Sequence, residues 1–102
     1  PTGIKAEVPK GFMLEVKNKS SIAARKQLLV GACVVDSGYD GEIFVNLHNT
    51  GKQTQWFKDG DKVAQGVLLP VNLCEIEEVS DPNKLNIDST RGDGALGSTG
   101  SR

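Results

Sequence analysis

Asp36 is the residue of this chain best placed to do chemistry. It ends the short apolar run Cys33-Val34-Val35 and is followed at once by the turn residues Ser37-Gly38. A carboxylate therefore leaves a strand where the backbone turns, with Tyr39 just beyond it as a flat wall. Held at the mouth of a pocket, such a group can take a proton from water as a general base. Asp also favours turns because its side chain bonds the nearby backbone, so a carboxylate that caps its own turn is the competing use. A second group lies at Arg91-Gly92-Asp93-Gly94-Ala95-Leu96-Gly97-Ser98-Thr99-Gly100. Its glycines leave backbone N–H groups free to curl around anionic oxygens. Arg91 adds a planar fork for phosphate, and Ser98 and Thr99 add hydroxyl donors. Gly92, Gly94 and Gly97 also match a dinucleotide fingerprint, but that motif needs a preceding strand and a following helix, and only two residues follow Gly100, so no dinucleotide site is expected.

The elements that must position these groups read as strands. Ile4 to Val8 alternates apolar and charged residues, and Pro9-Lys10-Gly11 ends it; Phe12 to Val16 resumes the pattern. Ile22 to Lys26 predicts one or two helical turns with a Ser at the start. Gln27 to Val30 leads into a β-hairpin over Cys33–Val45, in which Asp40-Gly41 adds turn chemistry. Along the second arm Ile43, Val45 and Leu47 share one side, and Glu42, Phe44, Asn46 and His48 share the other. Lys52 to Phe57 predicts a strand, Lys58-Asp59-Gly60-Asp61 a turn, and Lys62 to Val71 a long strand broken at Gly66. Leu73 to Val79 predicts the last strand. Many short strands with scarcely any helix give an all-β barrel or sandwich. Residues 1–87 form the core, and residues 88–102 a glycine-rich arm with almost nothing to pack.

Composition narrows the function. The 102 residues suffice for one small domain, and 37% hydrophobic with 5% aromatic content makes a thin core that association between chains would help. A formal net charge of −1 without a basic block argues against a nucleic-acid partner. No apolar run approaches membrane-spanning length, so no membrane partner is expected. Cys33 and Cys74 read as two buried thiols in a reducing compartment. A lone His48 and no paired Cys/His spacing exclude a structural zinc site.

Four blocks, taken in order, resemble the trimeric dUTPase family (dUTP diphosphatases). Lys19-Ser20-Ser21-Ile22-Ala23 is similar to its Pro-Arg-Ser-Gly/Ser-Leu-Ala block, with Lys19 keeping the charge and losing the fork. Val30 to Glu42 resembles the central hairpin motif, Gly60-Asp61-Lys62-Val63-Ala64-Gln65 the Gly-Asp-Arg-Ile-Ala-Gln motif, and Arg91 to Gly100 the C-terminal arm. The resemblance implies a twisted antiparallel β-barrel, jelly-roll-like and of the β-clip kind, assembled as a homotrimer whose chains share each site. It implies hydrolysis of dUTP to dUMP and pyrophosphate with Mg²⁺ held by the triphosphate and no metal ligand in this chain. The family's N-terminal strand and first motif, which carries a metal-holding Asp, are not found ahead of the first block. Asp36 would activate the attacking water and Tyr39 would pack on the deoxyribose. Backbone at Gly31 and along the hairpin, Val35 included, would read the uracil edge. Lys19, Ser20, Ser21 and Gln65 would bind the phosphates. Arg91, Gly97 and Ser98 would close over the β- and γ-phosphates, with Leu96 where an aromatic usually covers the base. A cytoplasmic, nuclear or host-cell interior location follows from that substrate. The related dCTP deaminases carry a catalytic Glu where this chain has Asn46, and an amide cannot exchange protons, so deamination is set aside. The alternative is a protein of the same fold that holds nucleotide or a partner without turnover.

Overall fold

A computed structural model describes residues 1–85. Within them the chain forms β1 (Phe12–Asn18), α1 (Ser20–Lys26), β2 (Leu28–Val30), β3 (Val34–Asp36), β4 (Leu47–Asn49) and β5 (Ala64–Pro70). The strands make a three-stranded sheet in the order β3-β1-β5 and a two-stranded sheet of β2 and β4, all antiparallel. The all-β architecture expected from the sequence is the one found. No helix among the described residues is long and apolar enough to cross a membrane.

The central strand is β1. It pairs with β5 along its whole length, from Phe12 opposite Pro70 to Asn18 opposite Ala64, and with β3 from Met13 opposite Asp36 to Glu15 opposite Val34. Alternation in β1 turns Val16 inward, where it meets Val8, Val35 and Ile43; Ala6, Leu14, Val30, Val45 and Ala64 pack around them. Each such aliphatic side chain contributes about 1.5–3 kcal/mol when fully buried. The turns at both ends are set by glycine. Gly11 at φ 85° closes a turn in which Phe12 N–H donates to the Pro9 carbonyl at 3.1 Å, and Gly60 at φ 87° sits in the turn that leads to β5. That turn is locked twice, by Asp61 N–H on the Lys58 carbonyl (3.0 Å) and by Lys58 N–H on Asp61 Oδ2 (2.8 Å).

Helix α1 begins one residue away from the expected cap. Lys19 occupies the N-cap position with no side-chain cap bond, and Ser20 is already helical. The helix ends at Gln27, in the left-handed region at φ 56°, and the Gln27 carbonyl accepts from both the N–H and the hydroxyl of Thr50, at 2.9 and 2.7 Å. Ile22 is its buried residue, and the Lys26 ammonium lies 5.5 Å from the Phe57 ring centroid.

Six expectations need correction. The turn after Asp36 is present, but the strand entering it pairs with β1, while Ile43 beyond it bonds to the N-terminal segment: its N–H donates to Ile4 (2.9 Å) and its carbonyl accepts from Thr2 N–H (3.2 Å). Val35 and Ile43 still meet in one core, each brought there by a partner other than the opposite arm of the turn. Residues 4–8 are accordingly an extended segment tethered at Thr2 and Ile4, and are not a strand. Residues 52–57 and 73–79 are also not strands. Trp56 is 82% and Ile76 96% exposed there, so the described residues offer them no surface to pair with. β5 runs unbroken through Gly66, where a Cβ would stand 3.1 Å from Leu14 Cδ1, so the missing side chain makes room for Leu14. Finally, Cys33 is half-buried and Cys74 exposed, the segment carrying Cys74 being largely exposed among the described residues.

Candidate functional site

Asp36 is the last residue of β3, exposed, at the point where the chain turns. The turn closes through the main chain: Tyr39 N–H donates to the Asp36 carbonyl at 3.2 Å, helped by Gly38 at φ 92°. Among the described residues the Asp36 carboxylate takes part in no hydrogen bond or ion pair, so it is not used as a cap. It borders a cleft of about 210 Å³ whose walls include Val16, Ala32, Tyr39, Glu42 and Phe44. Tyr39 is held there by its hydroxyl, which donates to the Glu42 carbonyl at 2.6 Å. Its ring covers Gly41, where a Cβ would collide with it. Glu42 places Oε2 in a buried position with no hydrogen-bond partner among the described residues.

The other expected residues fall into a second group. Lys19, Ser20 and Ser21 begin α1, with Lys19 Nζ donating to Ser21 Oγ at 2.6 Å. Gln65 Nε2 donates to the Asn18 carbonyl (2.8 Å), and Asn18 Oδ1 accepts from Val30 N–H (2.8 Å). Asn18 thus gathers β5, β2 and the start of α1 at the far end of β1. Asp36 is opposite Met13 and Gln65 opposite Lys17, on the two outer strands. At standard strand rise and spacing they lie roughly 16 Å apart. Within one chain the two groups do not converge.

Gly31 connects them. It follows β2, its N–H donates to the Asn46 carbonyl at 2.8 Å, and a Cβ there would run into Asn46 Oδ1 and His48 Nε2. A side chain at position 31 fits only if the Asn46 and His48 side chains move aside. Val35 turns its side chain into the core, which leaves only its backbone to face a ligand. Arg91, Leu96, Gly97 and Ser98 lie outside the described residues. Asn46, Glu42 and His48 carried no site role in the sequence; their signal is the alternation that sets all three on the side opposite Ile43.

No three His, Cys, Asp or Glu side chains converge as a metal site among the described residues. Asp36 and Glu42 are the carboxylate-bearing residues that line the cleft, with Glu42 Oε2 buried. Oxygen is the donor that Mg²⁺ takes, and that ion typically keeps its waters and substrate phosphates and uses one or two protein carboxylates. The donor set fits Mg²⁺ in that mode.

A family model described as dUTPase matches residues 1–100. The chain is 41% identical over 102 residues to the deoxyuridine 5'-triphosphate nucleotidohydrolase of Gloeothece citriformis (strain PCC 7424), covering 98% of this chain and 68% of that protein. It spans about two thirds of the length of the curated relatives it matches. Among solved structures, a mutant dUTPase of Staphylococcus bacteriophage 80alpha with dUpNHpp is similar at TM-score 0.79 and 19% identity, over 95% of this chain and 76% of that one. A mutant dUTPase from phage phi11 of S. aureus, described for the coordination of a structural Mg(II) ion, is similar at TM-score 0.65 and 19% identity, over 74% of this chain and 66% of that one. At that identity the two structures speak for the fold.

Proposed function

The chain belongs to the dUTPase family, and on that premise we propose that it is a dUTP diphosphatase, releasing dUMP and pyrophosphate. The observation that carries the reading is the Asp36 carboxylate, left free by a turn that closes through the backbone and bordering a cleft with Tyr39. Asp36 takes a proton from water as the water oxygen bonds to the α-phosphorus and the bond to the bridging oxygen of the β-phosphate breaks. Tyr39, fixed by the Glu42 carbonyl, lies along the deoxyribose and leaves no space for a ribose 2′-hydroxyl. Backbone from Gly31 to Val35 faces the uracil. Lys19, Ser20, Ser21 and Gln65 bind phosphate oxygens, and residues 88–102 form an arm that brings Arg91, Leu96, Gly97 and Ser98 over the nucleotide. Bound with the triphosphate, Mg²⁺ neutralises charge and holds the phosphorus for in-line attack.

The active form we propose is a homotrimer with sites between chains. Support comes from the separation of Asp36 from Gln65 within one protomer, from the unpartnered Oε2 of Glu42, and from exposed Leu73 and Ile76. The substrate puts the protein in the cell interior. The test is pyrophosphate release from dUTP with Mg²⁺, run beside dCTP and dTTP. Release from dUTP alone is expected. Tight dUTP binding with no release would instead make the chain a nucleotide-holding member of the family.

A further inference from the structure

Both N–H groups at the start of the cleft-lining loop are taken by one residue. Gly31 N–H donates to the Asn46 main-chain carbonyl at 2.8 Å, and Ala32 N–H donates to Asn46 Oδ1 at 3.0 Å. His48 Nε2 lies 3.1 Å from the same Oδ1. A backbone N–H can only donate, so the amide atom facing Ala32 must be the oxygen, and this fixes which way the Asn46 amide points. His48 then bonds to that oxygen only when Nε2 carries a hydrogen. Asn46 also sits in the space a Gly31 side chain would need. Ala32 lines the cleft beside Asp36 and Tyr39; Asn46 does not line it and acts on it only through Ala32.

We propose that Asn46 is a positioning residue for base recognition: its Oδ1, steadied by His48, clamps the Gly31-Ala32 backbone in the shape the pyrimidine meets. The inference rests on the reading that this backbone faces uracil. It follows that the acceptor oxygen matters and the amide NH₂ does not. Asp in this place keeps an acceptor for both donors, whereas Ala removes it and leaves Ala32 N–H without its partner.

The test compares wild type with Asn46→Ala and Asn46→Asp in the full chain. Amide hydrogen exchange of the free protein reads the clamp directly: Ala32 loses protection in Asn46→Ala and regains it in Asn46→Asp. Steady-state kinetics read its purpose. In Asn46→Ala, KM for dUTP rises about tenfold, the loss of one well-placed hydrogen bond, while kcat falls much less. Preference for dUTP over dCTP narrows in parallel, and Asn46→Asp restores most of both. Unchanged protection at Ala32 would overturn the clamp. Lost protection with KM and preference unchanged, or with kcat alone reduced alongside thermal stability, would overturn the positioning role and leave dUTP hydrolysis standing. A wild type that ignores dUTP would instead overturn the functional reading, and the positioning role with it.

Discussion

Asp36 owes its availability to the residues around it. Ser37 and Gly38 let the main chain close the turn, so the carboxylate is not needed as a cap. Asp36→Asn keeps the shape and removes the base. Turnover should fall by at least about a hundredfold, the usual weight of general-base catalysis, with dUTP affinity within severalfold of wild type. Pre-steady-state and binding measurements on the same preparation check this, and a near-normal rate would remove Asp36 from the mechanism. This residue was legible in the sequence because an Asp between an apolar run and Ser-Gly is a local pattern. Asn46 was not legible as a clamp, since its partner Ala32 is 14 residues away and no local rule pairs them.

At the scale of elements, α1 and the glycine-rich arm make opposite predictions. Ile22 is the buried residue of a seven-residue helix too short to stand alone. Ile22→Ala should destabilise the protein by about 2–4 kcal/mol in urea unfolding, since it removes the helix's apolar anchor. Deleting residues 91–102 should do the reverse, leaving the unfolding midpoint nearly unchanged and cutting the rate at saturating dUTP severely. Loss of fold on that deletion would refute the division into core and arm. The glycine turns at Gly11, Gly38 and Gly60 could be read in advance because each needs a positive φ that glycine supplies. The pairing of β3 with β1, and not with the stretch after its own turn, could not be read. It depends on partners distant in the chain, β1 for Val35 and the Thr2–Ile4 segment for Ile43, which no local pattern specifies.

Taken whole, a single chain is thinly cored. Among its described residues only Val8, Val16, Ile22, Leu28, Val35 and Ile43 are buried hydrophobics, and none of them falls below 5% exposure. Leu73 and Ile76 stand 76% and 96% exposed on an extended stretch with no partner strand among the described residues. On the proposed trimer, replacing both with Asp should yield monomers in sedimentation and abolish dUTP hydrolysis, while leaving the β1-centred sheet folded by circular dichroism. The sequence read residues 73–79 as the last strand, and the structure leaves them extended without strand pairing, because nothing local in the sequence says that their surface would be left over. Cys74 sits between those two apolar residues with its sulfur open to solvent, whereas Cys33 is half-covered. A thiol-reactive fluorophore should therefore label Cys74 readily in dilute, dissociated protein and slowly at concentrations where a neighbour shields it, giving a native optical reporter of subunit exchange.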